Sequence, residues 1–177
     1  LEKRTLRRIT WRIVPFIMLL YFIAYLDRVN IGFAALTMKE DLGFTASMLG
    51  FGAGIFFWGY FMFEVPSNIV LHKFGARIWI ARVMVTWGII SGCMAFVEGP
   101  TSFYIMRFLL GAAEAGFFPG VILYLTYWFP ARERARTVAM FVVGGVLAVV
   151  IGSPISGALL QLDGFGGLAG WQWLFLL

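Results

Sequence analysis

Asp27 and Arg28 lie side by side within residues 13–36, an otherwise apolar stretch long enough to cross a membrane as a helix. A charge in the middle of such a helix costs roughly 2.5 to 3.5 kcal/mol, so a retained pair indicates a functional site. A planar guanidinium group suits a carboxylate ligand, and an acid at membrane depth suits proton transfer. The pair therefore predicts a site that binds an organic anion and carries a proton. The alternative is an internal ion pair that only fixes helix packing.

The spacing along this helix separates the two charges. Tyr21, Tyr25 and Arg28 are spaced by four and three residues, so they share one stripe at about 100° per residue. Asp27 points about a quarter-turn away, on a face with small residues such as Ala24 that let a neighbouring helix come close. We therefore expect Arg28, Tyr25 and Tyr21 to face a cavity and bind substrate, and Asp27 to face a helix.

A second apolar run, residues 102–129, repeats this arrangement. Arg107, Gly111, Glu114 and Phe118 are spaced by four, three and four residues, so a base and an acid again share one face. The depths of the charges in the two helices are similar, which permits crossed pairs. We expect Arg107 to pair with Asp27, and Glu114 to pair with Arg28. Asp27 and Glu114 are then the candidates for proton coupling, whereas the alternative for Glu114 is a polar group that only holds helices together.

The run between these two helices, residues 47–71, supplies further candidates. Tyr60 lies near its middle, where a buried phenol either contacts a ligand or fills space. Glu64 lies nearer the far end of the run, where we expect a structural pairing with basic loop residues. Gly50 and Gly54 have the spacing that allows two helices to pack closely.

The composition defines the class of protein. Of 177 residues, 61% are hydrophobic and 13% charged, and the mean hydropathy is +0.88, which indicates an all-α, multi-pass membrane protein. The net charge of +5 does not indicate nucleic-acid binding, because the basic residues flank the apolar runs. One cysteine and one histidine, Cys93 and His72, cannot form a disulfide or a metal site by themselves. We expect no cofactor.

The apolar runs predict five complete spans and the start of a sixth. No small-residue cleavage site follows the first run, which argues against a removable signal peptide. Both ends of the sequence are expected to be cut, because it starts without methionine and ends inside an apolar run. The predicted spans are residues 13–36, 47–71, 78–97, 102–129, 137–160 and the truncated 171–177.

The distribution of basic residues predicts the orientation. Of 14 lysines and arginines, 11 lie before the first span or beside the second-third and fourth-fifth loops. The opposite side has only Lys39, and the remaining two, Arg28 and Arg107, are inside spans. Cytoplasmic loops carry the excess of basic residues, so we expect a cytoplasmic N-terminus. The 11 residues are Lys3, Arg4, Arg7, Arg8, Arg12, Lys73, Arg77, Arg82, Arg132, Arg134 and Arg136.

Several motifs together resemble the anion:cation symporters of the major facilitator superfamily, and the bacterial tartrate and phthalate type most closely. The resemblance extends over essentially the whole chain. One departure is His72, which stands where the superfamily's loop motif usually has an acid. The motifs are Tyr25-x-Asp27-Arg28-x-Asn30, Gly59-Tyr60-x-x-x-Glu64-x-Pro66-Ser67-Asn68, Lys73-x-Gly75-Ala76-Arg77, Arg107-x-x-x-Gly111-x-x-Glu114-Ala115-Gly116 and Tyr127-Trp128-Phe129-Pro130.

The resemblance implies that residues 1–177 are the N-terminal six-helix half of a twelve-span transporter that works by alternating access in a bacterial inner membrane. It implies substrate contacts from Arg28, Tyr25 and Tyr60, and proton coupling through Asp27 and Glu114. It also implies a gating loop that contains Lys73, Gly75 and Arg77. The implied partners are a small organic anion, protons, the lipid bilayer and the C-terminal half of the same protein.

Other functions remain open on the sequence alone. A passive facilitator or channel needs polar rings along a pore and no titrating acid, so Asp27 and Glu114 argue against it. An efflux antiporter for apolar compounds favours an aromatic pocket without Arg28. A membrane scaffold has no need of four charges at membrane depth. The chain contains no nucleophile triad, phosphate-binding loop or metal cluster, which argues against an enzyme.

Overall fold

The computed structural model describes the backbone of residues 2–177 and the side chains of residues 4–177. The side chain of Lys3, counted above among the basic residues, lies outside the described residues. Within residues 2–177 the regular elements are all helical, which confirms the predicted fold class. Two short 3₁₀ turns, Met94–Phe96 and Phe165–Gly167, accompany the α-helices. The helices are α1 Glu2–Asp41, α2 Ala46–Phe74, α3 Ala76–Cys93, α4 Pro100–Glu114, α5 Phe117–Trp128, α6 Ala131–Leu160 and α7 Gly170–Leu176.

Five helical segments of the described chain are long and apolar enough to cross a membrane: α1, α2, α3 with its following turn, α4 with α5, and α6. Several of them extend beyond the predicted spans, and α1 begins eleven residues before the predicted start. The N-terminal basic residues therefore continue the first helix. Arginine and lysine are good helix formers, so this extension agrees with their propensity. The architecture is that of a multi-pass membrane protein.

The fourth predicted span is not one continuous helix. α4 ends at Glu114 and α5 begins at Phe117, with Ala115 extended and Gly116 left-handed at φ +84°. Gly116 can adopt this φ because it has no Cβ. Pro119 falls in the first turn of α5, where its missing N–H leaves no helical hydrogen bond unmade. The break places Glu114 at the end of a helix.

α2 and α4 pack in close contact where Gly59 and Gly111 meet the facing backbone. A Cβ at Gly59 would collide with the carbonyl oxygen of Phe108, and a Cβ at Gly111 would collide with that of Phe56. Both collisions involve backbone, which cannot move aside as a side chain can. A Cβ at Gly50 or Gly54 would have no neighbour within 4 Å, so the described residues do not use the spacing of these two glycines for packing. The contact needs glycine where the two helices cross, and the spacing of glycines along one helix does not locate that point.

α1 packs along α6, and α7 packs against both. A polar group joins the three helices inside this contact. Asn30 Nδ2 donates to the carbonyl oxygen of Leu174 at 2.8 Å, and Ser156 Oγ donates to Asn30 Oδ1 at 2.7 Å. Asn30 and Ser156 are both buried. Buried polar groups need hydrogen-bond partners, and these two bonds hold α1 against α6 and α7 close to Asp27 and Arg28.

Candidate substrate and proton site

The residues singled out in the first and fourth spans meet in space. Arg28 Nη2 lies 2.7 Å from Glu114 Oε1, which confirms one of the two crossed pairs. The side chain of Arg28 is 32% exposed, whereas that of Glu114 is 6% exposed. Arg28 Nε and Glu114 Oε2 are buried without a hydrogen-bond partner among the described residues. The pair therefore keeps hydrogen-bonding capacity that a ligand or a proton can use.

A cavity of about 210 Å³ opens beside this ion pair. It has one cation, one acid and two phenols, and the rest of its lining is phenylalanine. A guanidinium group with aromatic surroundings can hold a carboxylate at one end of a small molecule and pack against the remainder. The lining residues are Tyr21, Arg28, Phe57, Tyr60, Glu114, Phe117 and Phe118.

The three predicted tyrosines take different positions around Arg28. Tyr21 and Tyr60 line the cavity, whereas Tyr25 does not. The guanidinium carbon of Arg28 is 5.7 Å from the centre of the Tyr25 ring and 6.0 Å from that of Tyr60. A Cβ at Gly145 of α6 would lie 2.8 Å from the Tyr21 ring and 3.2 Å from the Tyr25 ring, so both rings pack against α6. Tyr25 therefore supports Arg28 from the α6 side and forms no part of the cavity wall.

Asp27 has a partner that the sequence did not predict. Its Oδ1 accepts a hydrogen bond from Ser91 Oγ of α3, and both residues are buried. Asp27 and Arg107 form no ion pair within 4 Å, so the second crossed pair is wrong. Asp27 does face a helix, as its position around α1 indicated. The helix is α3, which has two hydroxyl side chains, Thr86 and Ser91, and the presence of a hydroxyl in an apolar segment was the one signal in the sequence.

Arg107 is buried and forms no ion pair with an acid among the described side chains. Its Nε donates to the carbonyl oxygen of Gly52 at 3.3 Å, and it is only 4% exposed. Its guanidinium carbon is 4.7 Å from the centre of the Phe56 ring. The same ring lies 5.6 Å from the guanidinium carbon of Arg28. Phe56 thus contacts both cations through cation–π interactions, a role that its position among many apolar residues did not reveal.

A family model of the Major Facilitator Superfamily matches residues 17–177, which is most of the chain. The chain belongs to the Major Facilitator Superfamily. This agrees with the motifs and with the helical architecture described above.

Individual relatives of this facilitator-superfamily chain differ in what their names say. A protein of Agrobacterium vitis named "Putative tartrate transporter" is 72% identical over 177 residues, which cover 100% of this chain and 39% of that protein. A protein of Acinetobacter baumannii named "Quinolone resistance transporter" is 51% identical over 175 residues, which cover 99% of this chain and 40% of that protein. The chain thus spans about two fifths of the length of these curated relatives.

A solved structure has the same fold as the facilitator-superfamily chain. It is a bacterial homolog of the human lysosomal transporter Spinster, in an inward-facing and occupied conformation. The TM-score is 0.85 at 19% identity, and the match covers 93% of this chain and 40% of that one. At this level of identity the likeness concerns the fold alone.

The predicted gating loop of this superfamily chain lies at the junction of α2 and α3 and contributes nothing to the lining of the cavity. Gly75 is the single residue between the two helices, with φ +86°, and its N–H donates to the carbonyl oxygen of Leu71 at 2.8 Å. Lys73 and Arg77 are exposed on either side of it. Glu64 forms no ion pair within 4 Å among the described residues, so the expected pairing with basic loop residues is wrong.

Asp27, Arg28, Arg107 and Glu114 carry two negative and two positive charges, which sum to zero. Of these four, only Arg28 and Glu114 are in direct contact. Within residues 4–177, no group of three or more His, Cys, Asp or Glu side chains is placed to hold a metal ion. Arg28 and Glu114 thus place a cation and a buried acid at the wall of one cavity.

Proposed function

We propose that this chain is the N-terminal half of a twelve-span symporter that carries a small organic anion together with a proton, by alternating access. The observation that supports it most is the Arg28–Glu114 ion pair, 2.7 Å long, at the wall of a cavity of about 210 Å³. The cavity presents a cation to a carboxylate, and the cation already holds an acid of the protein. Binding the anion and freeing the acid are therefore one event.

The proposed coupling proceeds as an exchange of partners at Arg28. A substrate carboxylate enters the cavity and forms charge-assisted hydrogen bonds with the guanidinium group of Arg28. Glu114 loses its cation and remains a buried carboxylate, which an apolar environment strongly disfavours. It therefore binds a proton, and the loaded site carries the anion and the proton together. Release reverses both steps: the anion leaves, the proton leaves, and Glu114 returns to Arg28.

Asp27 is the second acid of the proposed coupling. Its bond with Ser91 keeps it on the α3 side of α1, away from the cavity lining. We assign it proton transfer: Ser91 Oγ donates a hydrogen bond to the ionised carboxylate and can accept one from the protonated acid. Arg107 stays close enough to both acids to interact electrostatically with each of them.

The substrate class rests on Arg28, on the size of the cavity and on the relative named as a tartrate transporter. A dicarboxylate such as tartrate is therefore the first probe. The rest of the substrate pocket belongs to the C-terminal half in this proposal. The proposed location is a bacterial inner membrane, with a cytoplasmic N-terminus.

The test uses the full-length transporter that contains this chain, purified and reconstituted in proteoliposomes. Labelled tartrate uptake is measured with the interior alkaline by one pH unit. A tartrate dianion with one proton carries a net charge of −1, so the membrane potential is held at zero; one proton per anion then supports about tenfold accumulation per pH unit. We expect wild type to accumulate tartrate, and Glu114→Gln to lose accumulation but still exchange labelled for unlabelled tartrate at equal pH. Accumulation by Glu114→Gln equal to wild type would contradict the proposed coupling.

A second candidate function is drug efflux by antiport. The phenylalanines of the cavity and the relative named as a quinolone resistance transporter favour it. The same vesicles distinguish the two. An antiporter moves an aromatic drug in the direction opposite to the protons, whereas a symporter moves tartrate in the same direction as the protons.

A further inference from the structure

A buried serine hydroxyl reaches the break between α4 and α5. Ser67 Oγ, on α2, donates a hydrogen bond to the carbonyl oxygen of Ala115 at 2.7 Å. Ser67 is 6% exposed and Ala115 is fully buried. Ala115 directly follows Glu114, so this bond holds the backbone at the residue next to the acid of the ion pair.

The break creates the need for this partner. Where a helix stops, its last carbonyl groups lose their helical hydrogen bonds, and an unpaired carbonyl in an apolar environment is costly. Gly116 also leaves space for the serine side chain, because a Cβ at Gly116 would collide with Ser67 Oγ. Gly116 thus permits both the left-handed backbone and the approach of the hydroxyl.

A third group fixes the direction of this hydroxyl. Trp79 Nε1, in the first turns of α3, donates to Ser67 Oγ at 2.8 Å. A hydroxyl that accepts from the indole N–H keeps its own hydrogen for the Ala115 carbonyl. Ser67 precedes the loop at Gly75, and Trp79 follows it. The hydrogen bonds from Trp79 to Ser67 and from Ser67 to Ala115 therefore connect the helices on both sides of this loop to the break beside Glu114.

We propose that Ser67 is a positioning residue: it holds the α4–α5 break so that Glu114 stays paired with Arg28, and Trp79 directs its hydroxyl. The inference rests on the proposed function, in which the anion competes with Glu114 for Arg28. Loss of the Ser67 bond weakens the hold of Glu114 on Arg28 and makes competition by the anion easier.

The pH profile of anion binding reports this role. In wild type, tartrate affinity falls as the pH rises, because an ionised Glu114 competes for Arg28. Loss of a neutral hydrogen bond, about 1 kcal/mol net, corresponds to about a fivefold change in an equilibrium constant. We therefore expect Ser67→Ala to bind tartrate about fivefold more tightly than wild type at pH 8, and equally at pH 6. The charged and titratable groups around Glu114 are Tyr21, Asp27, Arg28, Tyr60 and Arg107.

A double-mutant cycle separates positioning from general destabilisation. In the Glu114→Gln background, where no carboxylate competes, Ser67→Ala is expected to change tartrate affinity less than twofold at either pH. Ser67→Thr keeps the hydroxyl and is expected to restore the wild-type profile. An equal change at pH 6 and pH 8, or the same change in the Glu114→Gln background, would overturn the inference.

Two further measurements keep the inference testable if a variant folds poorly or if tartrate is not the substrate. Trp79→Phe removes the indole N–H donor together with part of the ring, and it is expected to shift the profile in the same direction, by about twofold. Hydrogen–deuterium exchange of full-length protein without ligand is expected to rise at residues 112–118 in Ser67→Ala. The matched control is Ser153→Ala, which removes a serine bond of 2.7 Å to the Val149 carbonyl on α6. Unchanged exchange at the break would overturn the inference, whereas failure of wild type to bind any of a panel of organic anions, tartrate included, would contradict the proposed function.

Discussion

The guanidinium group of Arg28 is the part of the site whose replacement most sharply tests anion binding. Arg28→Lys keeps the positive charge but removes the planar pair of donors that fits a carboxylate. Arg28→Ala removes charge and donors together, and it also leaves Glu114, 6% exposed, without its cation. The double variant Arg28→Ala/Glu114→Gln removes that unpaired charge, so it isolates the loss of the ligand contact from the loss of the ion pair.

The expected magnitude follows from the exposure of the side chain. A hydrogen bond to a charged group contributes about 1.5 to 3 kcal/mol. Arg28 is 32% exposed, so solvent screening favours the lower part of this range. A loss of about 1.5 to 2 kcal/mol corresponds to roughly 10- to 30-fold weaker binding. We expect this loss for Arg28→Ala/Glu114→Gln, and a loss within about threefold of it for Arg28→Lys.

The assay is equilibrium binding of labelled tartrate to the purified full-length protein. Arg12→Ala and Arg12→Lys are the matched controls, because Arg12 is exposed on the same helix and lies outside the cavity. Both controls are expected to bind as wild type does. Unchanged affinity in Arg28→Ala/Glu114→Gln, with folding verified by thermal unfolding, would refute the assignment of Arg28 to the substrate carboxylate.

Three further predictions concern orientation, packing and the second acid. Cysteines at Lys39 and Arg134 should react with an impermeant reagent from opposite sides of the membrane, and labelling of both from one side would overturn the orientation. Gly111→Ala should lower the free energy of unfolding by about 1 to 3 kcal/mol in thermal or denaturant melts, because its Cβ meets backbone, whereas Gly54→Ala has free space and should change it little. Asp27→Asn should lose pH-driven accumulation of tartrate, and accumulation equal to wild type would remove Asp27 from the coupling.

The Arg28–Glu114 pair could be predicted because helix periodicity fixes which residues share a face. Two charges at similar depth in a membrane, each on the inward-facing polar stripe of its helix, have few other partners available. The pairing of Asp27 could not be obtained in this way. Its partner, Ser91, is 64 residues away along the chain, and periodicity within a helix does not say which face of α3 turns towards α1.

The break of the helix after Glu114 could not be predicted from the sequence either. Glycine and proline are frequent in membrane-spanning helices, and many of them interrupt nothing. Gly116 breaks the helix here because Ser67, on a different helix, supplies the hydrogen bond that the freed carbonyl needs. The glycines at the α2–α4 contact could not be identified from the sequence for the same reason, because the neighbour that matters lies on another helix. Gly59 and Gly111 matter because of where the two helices cross, and that point is set by tertiary packing.

The central claim is that one anion and one proton enter together through the partner exchange at Arg28. The most direct test is the simultaneous measurement of tartrate and proton fluxes in lightly buffered proteoliposomes of the full-length protein, without an imposed pH gradient and with the membrane potential held at zero to balance the net charge of tartrate and proton. We expect addition of tartrate to wild type to drive protons inwards with the anion, so that the external medium becomes alkaline, and Glu114→Gln to show no such change. Tartrate entry into wild-type vesicles without proton movement, or equal proton movement in Glu114→Gln, would contradict the account.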